Sequence, residues 1–185
     1  MDAPKSSVAR KAFLVAAILG VAPLHSATLM QLSLNDLIAK STAIVRATVQ
    51  GSYTAYSGPV IFTHYRVLVT ERWKGAPAAA IDVVVAGGIA GGLRQTYPGA
   101  PQFQPGDQFV LFLWTGKSGM TQIMGFSQGV FAVARGASPD PILTRDASHE
   151  MMLDPVTHSQ VNDQPLTMRL SELRAQVSSA LGVAR

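Results

Sequence analysis

Residues 125–129 read GFSQG and match the G-x-S-x-G pattern, in which a serine on a sharp strand-to-helix turn acts as a nucleophile. Asp146 and then His149 or His158 follow Ser127, in the chain order Ser, Asp, His of a hydrolase triad. The residues after the motif alternate as in a strand, however, and the chain lacks the repeated βα units of the hydrolase fold. We therefore predict a turn between strands at Ser127, and keep a serine hydrolase using Ser127, Asp146 and His149 as the alternative.

Histidines and carboxylates are also candidate metal ligands. His149 stands beside Glu150, and His158 lies nine residues further on, in a segment with three aspartates: Asp146, Asp154 and Asp163. No H-E-x-x-H helix or other spaced ligand set is present, and the absence of cysteine removes thiolate catalysis and Cys-type zinc sites. We expect solvated polar residues in a loop, with no metal and no cofactor.

The glycine-rich segment 86–106 follows a predicted strand, as a phosphate-binding loop would, but no helix follows it and no Walker lysine-serine is present. A connection of this length in a compact domain is usually functional or mobile. Two interpretations remain open. The segment folds back over the end of the domain and covers its core, or it forms a docking edge for a protein, since aromatic and arginine side chains dominate binding hot spots. The candidate binding residues are Leu93, Arg94, Tyr97 and Phe103.

Aromatic and basic residues on the predicted strands could form a stacking surface for single-stranded nucleic acid or sugars: Tyr53, Tyr56, Tyr65, Trp73, Arg46, Arg66 and Arg72. Residues 1–27 hold three of the fifteen basic residues and one of the eleven acidic ones, which leaves the remainder with a net charge of +2. Such a small charge gives little attraction for phosphates, so we expect these aromatic residues to pack and no nucleic acid to bind.

The stretch from residue 62 to residue 88 predicts two strands, because apolar side chains recur at every second position on both sides of a turn at 73–77. An earlier strand is predicted around residues 45–50, followed by a loop from Tyr53 to Pro59. The run 107–114 is nearly continuous in large apolar side chains, which indicates a strand covered on both faces.

Short strands are predicted at 121–124 and 130–134. The segment 137–165, with its four prolines, is predicted to be irregular with a short hairpin. A short helix is predicted to begin at the Ser33 capping box, and a C-terminal helix is predicted at 170–181. Strands at short spacing with helices only at the ends predict a mainly β fold. Its size favours a small, partly open OB-like barrel of five or six strands.

The first 27 residues resemble a secretory signal peptide, with basic residues, an apolar run at 12–24 and small residues at Ser26 and Ala27. The run is short for a membrane span, which needs roughly 20 apolar residues, so an uncleaved anchor is the less favoured alternative. We expect cleavage near Ser26 or Ala27, a periplasmic or secreted product without a membrane span, and a single domain at 28–185.

The order of LNDLIAKS (34–41), AIVRATV (43–49), FTHYRVLVTERWKG (62–75) and AIDVVVAGG (80–88) resembles the start of the netrin-like module of tissue inhibitors of metalloproteinases. That resemblance implies an OB-type barrel. The inhibitors grip the target's zinc with an amino-terminal cysteine, and this chain has no cysteine, so that mechanism is carried over to no residue.

The pattern GG-x-x-GG-x-x-Q-x-x-PG-x-P-x-F at 87–103 and the strand LFL at 111–113 are similar to a set of exported bacterial proteins without an assigned activity. This likeness implies a fold and an export route.

The sequence therefore predicts an exported, non-enzymatic binding or accessory module whose partner is another exported or envelope protein. A peptidase-inhibitor-like role is one version of it, by fold analogy alone. The alternatives are a serine hydrolase and a structural envelope component.

Overall fold

The computed structural model describes residues 28–148 and 150–182; the predicted signal peptide and His149 lie outside them. The described elements, in chain order, are β1 (Thr28–Met30), α1 (Leu34–Lys40), β2 (Ala43–Ser57), β3 (Val60–Lys74), β4 (Ala80–Ala86), β5 (Gly88–Ala90), β6 (Leu93–Gln95), β7 (Gln108–Thr115), β8 (Thr121–Ile123), a 3-10 turn (Phe126–Gly129), β9 (Val130–Val133), β10 (Ile142–Arg145), β11 (Met151–Leu153), β12 (Gln160–Val161), β13 (Leu166–Arg169) and α2 (Leu170–Ala180). The predicted mainly β fold with a helix near each end is confirmed.

Side-chain oxygens accept hydrogen bonds from backbone N–H groups in the first turn of both helices. The Ser33 hydroxyl accepts from the backbone N–H of Asp36, whose carboxylate accepts in return from the backbone N–H of Ser33, so the predicted capping box is present. At α2 the Asp140 carboxylate accepts from both the backbone N–H and the hydroxyl of Ser171. These hydrogen bonds, the backbone one first, lower the pKa of Asp140.

Strands β2 and β3 form one long antiparallel hairpin, which corrects the predicted loop at Tyr53–Pro59. The ladder continues to the pair Ser57 and Val60, so only Gly58 and Pro59 form the turn. Gly58 has φ +60°, a conformation that glycine adopts without a Cβ clash. The end of the hairpin is extended because each strand supplies the hydrogen-bonding partner of the other, a long-range effect that local turn formers do not reveal.

Five of the strands are hydrogen-bonded in a closed circuit. Strands β2, β3 and β4 are antiparallel neighbours, β4 meets β8 in parallel at Val83 and Thr121, β8 pairs antiparallel with β7, and β7 returns to β2. From β7 the sheet also continues outward through β9, β10 and β13. The circuit places the β4–β5 connection and the end of the β2–β3 hairpin at the same end of the domain.

Strand β7 divides two hydrophobic cores. Val110 and Phe112 belong to a helical core that includes residues of α1 and α2, while Leu111 and Leu113 belong to a strand core with Tyr65 and Val67 of β3. All four β7 side chains are fully buried, which confirms that the strand is covered on both faces. The region between β10 and β13 contains the predicted short hairpin, as β11 and β12. Strand β10 was not predicted.

Candidate functional site

The glycine-rich segment forms a small hairpin, β5–β6, that lies against the far end of β2–β3. The hydroxyl of Thr54 donates to the carbonyl of Ile89 at 2.5 Å, and the hydroxyl of Tyr56 donates to the carbonyl of Ala90 at 2.9 Å. The glycine-rich segment, which was predicted to connect two strands, is therefore ordered here, because side chains of β2 donate hydrogen bonds to backbone carbonyls of β5.

The Gln95 side chain fixes the second strand of this hairpin. Its Oε1 accepts from the backbone N–H of Ile61 at 2.7 Å, and its Nε2 donates to the carbonyl of Pro59 at 2.9 Å. The Gln95 amide thus provides hydrogen-bonding partners for two backbone groups at the tip of β2–β3, the N–H of Ile61 and the carbonyl of Pro59. Hydrogen bonds from both β2 and β3 hold β5–β6 in one position.

A cleft of about 230 Å³ lies beside β6, between the hairpin and the segment that follows it. Tyr65, Val85 and Ala100 contribute apolar surface to it, and Arg94 and Tyr97 also line it. Among the described residues that line it, Arg94 alone is charged. Its side chain makes no ion pair or hydrogen bond to another described residue. The cleft therefore presents an unneutralised guanidinium beside aromatic surface.

Large apolar side chains stand exposed around this cleft. Leu93 is 61% exposed, Ile89 51%, Tyr56 49% and Tyr97 37%. These four residues and Arg94 are called the docking surface below. Two of the predicted binding residues, Arg94 and Tyr97, line the cleft together with Ile89. Leu93 is exposed on the opposite face of the β5–β6 hairpin, and the sequence analysis did not connect Tyr56 and Ile89 with this surface.

Phe103, the fourth predicted binding residue, requires a correction, since it is only 5% exposed. Its ring meets Tyr65 edge-on, with centroids 4.9 Å apart, and lies 4.7 Å from the ring of Phe109. A ring held in the strand core is not available to a partner. The segment thus combines both interpretations: Phe103 folds back to cover the core, while Leu93 and Tyr97 remain outside.

Ser127 lies in the 3-10 turn, and β9 begins at Val130, which confirms the predicted strand after the motif. The Ser127 hydroxyl is buried and has no hydrogen-bond partner among the described residues. Asp146 is exposed just after β10. The next residue of the motif, Gln128, has a structural role that the sequence analysis missed, because its amide pairs with the backbone of Leu32 and Met30.

Comparison of the chain with protein-family models, curated proteins and solved structures gives no match. The likenesses to the netrin-like module and to exported bacterial proteins remain predictions from the residues. In the described part of the chain, none of the helices has the length and apolar character needed to cross a bilayer.

His64 forms a polar cluster on the outer face of β2–β3–β4. Its Nδ1 lies 2.7 Å from the Asp82 carboxylate, and its ring stacks on Tyr53 with centroids 4.6 Å apart. His158 lies in a turn after Asp154, whose backbone carbonyl accepts from the His158 N–H. No group of three or more His, Asp or Glu residues suited to a metal occurs within 28–148 and 150–182.

Proposed function

We propose that this chain is an exported, non-enzymatic binding module that holds another exported or envelope protein at its docking surface. The observation that carries the proposal is the group of exposed apolar side chains on and beside the β5–β6 hairpin, together with an Arg94 guanidinium that has no partner among the described residues. Aromatic residues and arginine contribute most to binding at protein interfaces, and contiguous exposed apolar patches mark such interfaces.

The way the docking surface is supported favours binding as well. Hydrogen bonds from Thr54, Tyr56 and Gln95 fix the β5–β6 hairpin on β2–β3. A loop already held in its bound conformation loses little conformational entropy when a partner arrives, so more of the contact energy appears as affinity. The ordered hairpin thus supports recognition by a preformed surface.

The finer description of the fold is part of the same proposal. The closed circuit of β2, β3, β4, β8 and β7, with one parallel pair among antiparallel ones, supports a small OB-like barrel flanked by α1 and α2. OB barrels carry many functions, so the fold alone selects none of them. A peptidase-inhibitor-like role is therefore only one version of protein binding.

Binding is proposed in place of catalysis because of the position of Ser127. A buried hydroxyl inside a 3-10 turn that leads into a strand lacks the exposure that a nucleophile needs. Export to the periplasm or beyond is supported by the basic lead and apolar run of residues 1–27.

A photo-crosslinking residue placed at Leu93 tests the proposal in the native envelope fraction. The matched control carries the same residue at Leu68, which is 41% exposed on the outer face of β3 and outside the docking surface. We expect a discrete protein adduct from position 93 and none from position 68. Equal adducts at both positions, or none at 93, would contradict the proposal. Labelling by a fluorophosphonate that Ser127→Ala abolishes would favour the hydrolase.

A further inference from the structure

We infer that the docking surface recognises an extended peptide segment that pairs with the free edge of β6 and places an acidic side chain on Arg94. This inference rests on the proposed function, and specifies the chemistry of the partner. It is carried by three features of the same site: the charge of the cleft, the open strand edge, and the order of side chains along β6.

The charge of the cleft selects an acid. Arg94 carries the charge of the lining, and two of its polar neighbours are already used, since the Thr63 hydroxyl donates to the carbonyl of Gly87 and the Gln95 amide is bound to the β2–β3 tip. The Arg94 guanidinium carries several N–H donors, and no described residue accepts a hydrogen bond from them. A carboxylate matches this group in both charge and geometry, as a bidentate pair.

The edge of β6 provides backbone partners. Within the described part of the chain, β6 pairs only with β5. Opposed residues in an antiparallel pair alternate between bonding each other and pointing their N–H and C=O groups outward. The Ile89 carbonyl points away from β6, because it accepts from Thr54, and Ile89 is opposite Arg94. The N–H and C=O of Arg94 therefore point to the open edge, where an added strand would bond them.

The order of side chains predicts the sequence that would bind. Successive residues of a strand point to opposite faces, so Arg94 lies on one face of the hairpin and Leu93 on the other. Paired residues of neighbouring strands share a face. A segment added to β6 would thus place an acidic residue opposite Arg94 and an apolar residue next to it, opposite Leu93.

An edge of three residues offers few backbone hydrogen bonds, each with a net contribution of about 1 kcal/mol. Strand addition alone would therefore bind weakly and without selectivity. The acid–guanidinium pair and the apolar contact with Leu93 supply the selectivity, so the peptide must carry both features.

A random dodecapeptide display library tests the inference, with selection on the wild-type chain, on Arg94→Glu and on Arg94→Lys. Arg94 is exposed, so we expect all three to unfold at the same temperature. We expect the wild type to enrich peptides with Asp or Glu next to an apolar residue. Those peptides should bind Arg94→Glu about tenfold or more weakly and Arg94→Lys at an intermediate level. The backbone amide signal of Arg94 should shift when the best peptide is added.

The other outcomes separate this inference from the proposed function. If the Leu93 adduct forms but the enriched peptides lack an acid, or none is enriched, the acidic-strand inference is overturned and the docking surface stands. If succinate alone shifts the Arg94 signals as the peptide does, the site takes a free acid and the extended segment is overturned. If neither adduct nor enrichment appears, both proposals are overturned.

Discussion

Arg145 donates through Nη2 to the carboxylate of Asp163 at 2.8 Å, and less than a tenth of either side chain is exposed. The same nitrogen donates to the carbonyl of Gln164, and the second Asp163 oxygen accepts from the backbone N–H of Ser148. Strand β10 ends at Arg145, and Asp163 precedes β13. This ion pair therefore connects the two ends of the irregular segment that joins these neighbouring strands of the sheet.

Asp163→Ala is expected to lower the free energy of unfolding by about 3–5 kcal/mol, because it leaves the buried Arg145 charge without a counter-charge. Urea unfolding measures the loss. The control is Arg135→Gln, which breaks the exposed ion pair with Asp107 and should cost less than about 1 kcal/mol. Adding Arg145→Met to Asp163→Ala should recover part of the loss. Equal costs for the two single variants would show that the buried pair does not hold the segment.

Glu71 connects β3 with β2 and α2. Its carboxylate accepts from Arg46 Nη1 at 2.9 Å, from Trp73 Nε1 at 3.2 Å and from Arg174. Partial burial on its own would raise the pKa of Glu71, but these hydrogen bonds and the Arg174 charge outweigh it and lower the pKa below its usual value. The folded state is therefore stabilised by the ionised carboxylate.

A pH titration of stability tests this arrangement against Glu71→Gln. Because the folded pKa lies below the unfolded one, the stabilisation is complete above the unfolded value, near 4.5, and is lost as pH falls through the folded pKa. We expect Glu71→Gln to be less stable than the wild type at pH 7, by roughly 1–2 kcal/mol. The difference should shrink as the pH falls below 4.5. A difference that stays constant down to pH 2 would contradict the linkage.

Phe103 and Leu93 occupy the same glycine-rich segment and should behave in opposite ways. Phe103→Ala removes a ring packed on Tyr65 and Phe109, so we expect a loss of about 3–4 kcal/mol in unfolding free energy. Leu93→Ala should change stability by less than about 0.5 kcal/mol. It should nevertheless weaken the partner adduct formed from a crosslinker at Tyr97. A stable Phe103→Ala variant would place that ring outside the core.

This contrast shows where the sequence stops being informative about the site. Both residues are large and apolar, and both lie among glycines and prolines without periodicity. Which of them is buried depends on Tyr65, which is distant in the chain, and on the place that β7 gives to Phe109, so residue type alone predicted both as binding residues. The hydrogen bond from the Tyr56 hydroxyl to the carbonyl of Ala90 is a long-range contact of the same kind.

The elements with an internal pattern were predictable. The unbroken apolar run of β7 indicated burial on both faces, and the Ser33 capping box marked the start of α1, because in each case the signal is contained in neighbouring residues. The outer half of the β2–β3 hairpin was predicted as a loop, since its extended state depends on the facing strand. The Arg145–Asp163 pair has no local signal at all.

The Ser127→Ala variant tests whether Ser127 is a nucleophile or only part of a structural turn. The hydroxyl is buried without a partner among the described residues, so removing it relieves an unsatisfied polar group. We expect unfolding free energy to stay within about 1 kcal/mol of the wild type, or to rise. A fluorophosphonate should label neither protein. Gln128→Ala, in contrast, should be clearly destabilising, because it leaves the backbone groups of Leu32 and Met30 unpaired. Labelling of the wild type alone would restore the catalytic reading.

Gly88 determines how closely the β5–β6 hairpin approaches the domain. A Cβ at this position would lie 2.8 Å from the Thr54 methyl group and from the Thr63 hydroxyl, and the backbone has φ +141°. Gly88→Ala should therefore push the hairpin away from β2–β3 and break the hydrogen bond between Thr54 and Ile89. We expect a cost of about 2 kcal/mol and a weaker partner adduct from position 93.

Gly92→Ala is the matched control for this prediction. Gly92 also has a positive φ, +77°, but its added Cβ would meet no atom within 4 Å. Both variants therefore carry a backbone penalty, roughly 1–2 kcal/mol for a residue in the left-handed region, and only Gly88→Ala adds a steric clash. Urea unfolding and hydrogen exchange at the Ile61 amide, which Gln95 holds, measure the difference. Faster exchange in Gly88→Ala alone is the expected result. Equal exchange in both variants would mean that close contact with β2–β3 does not hold the hairpin in place, and the preformed docking surface would lose its basis.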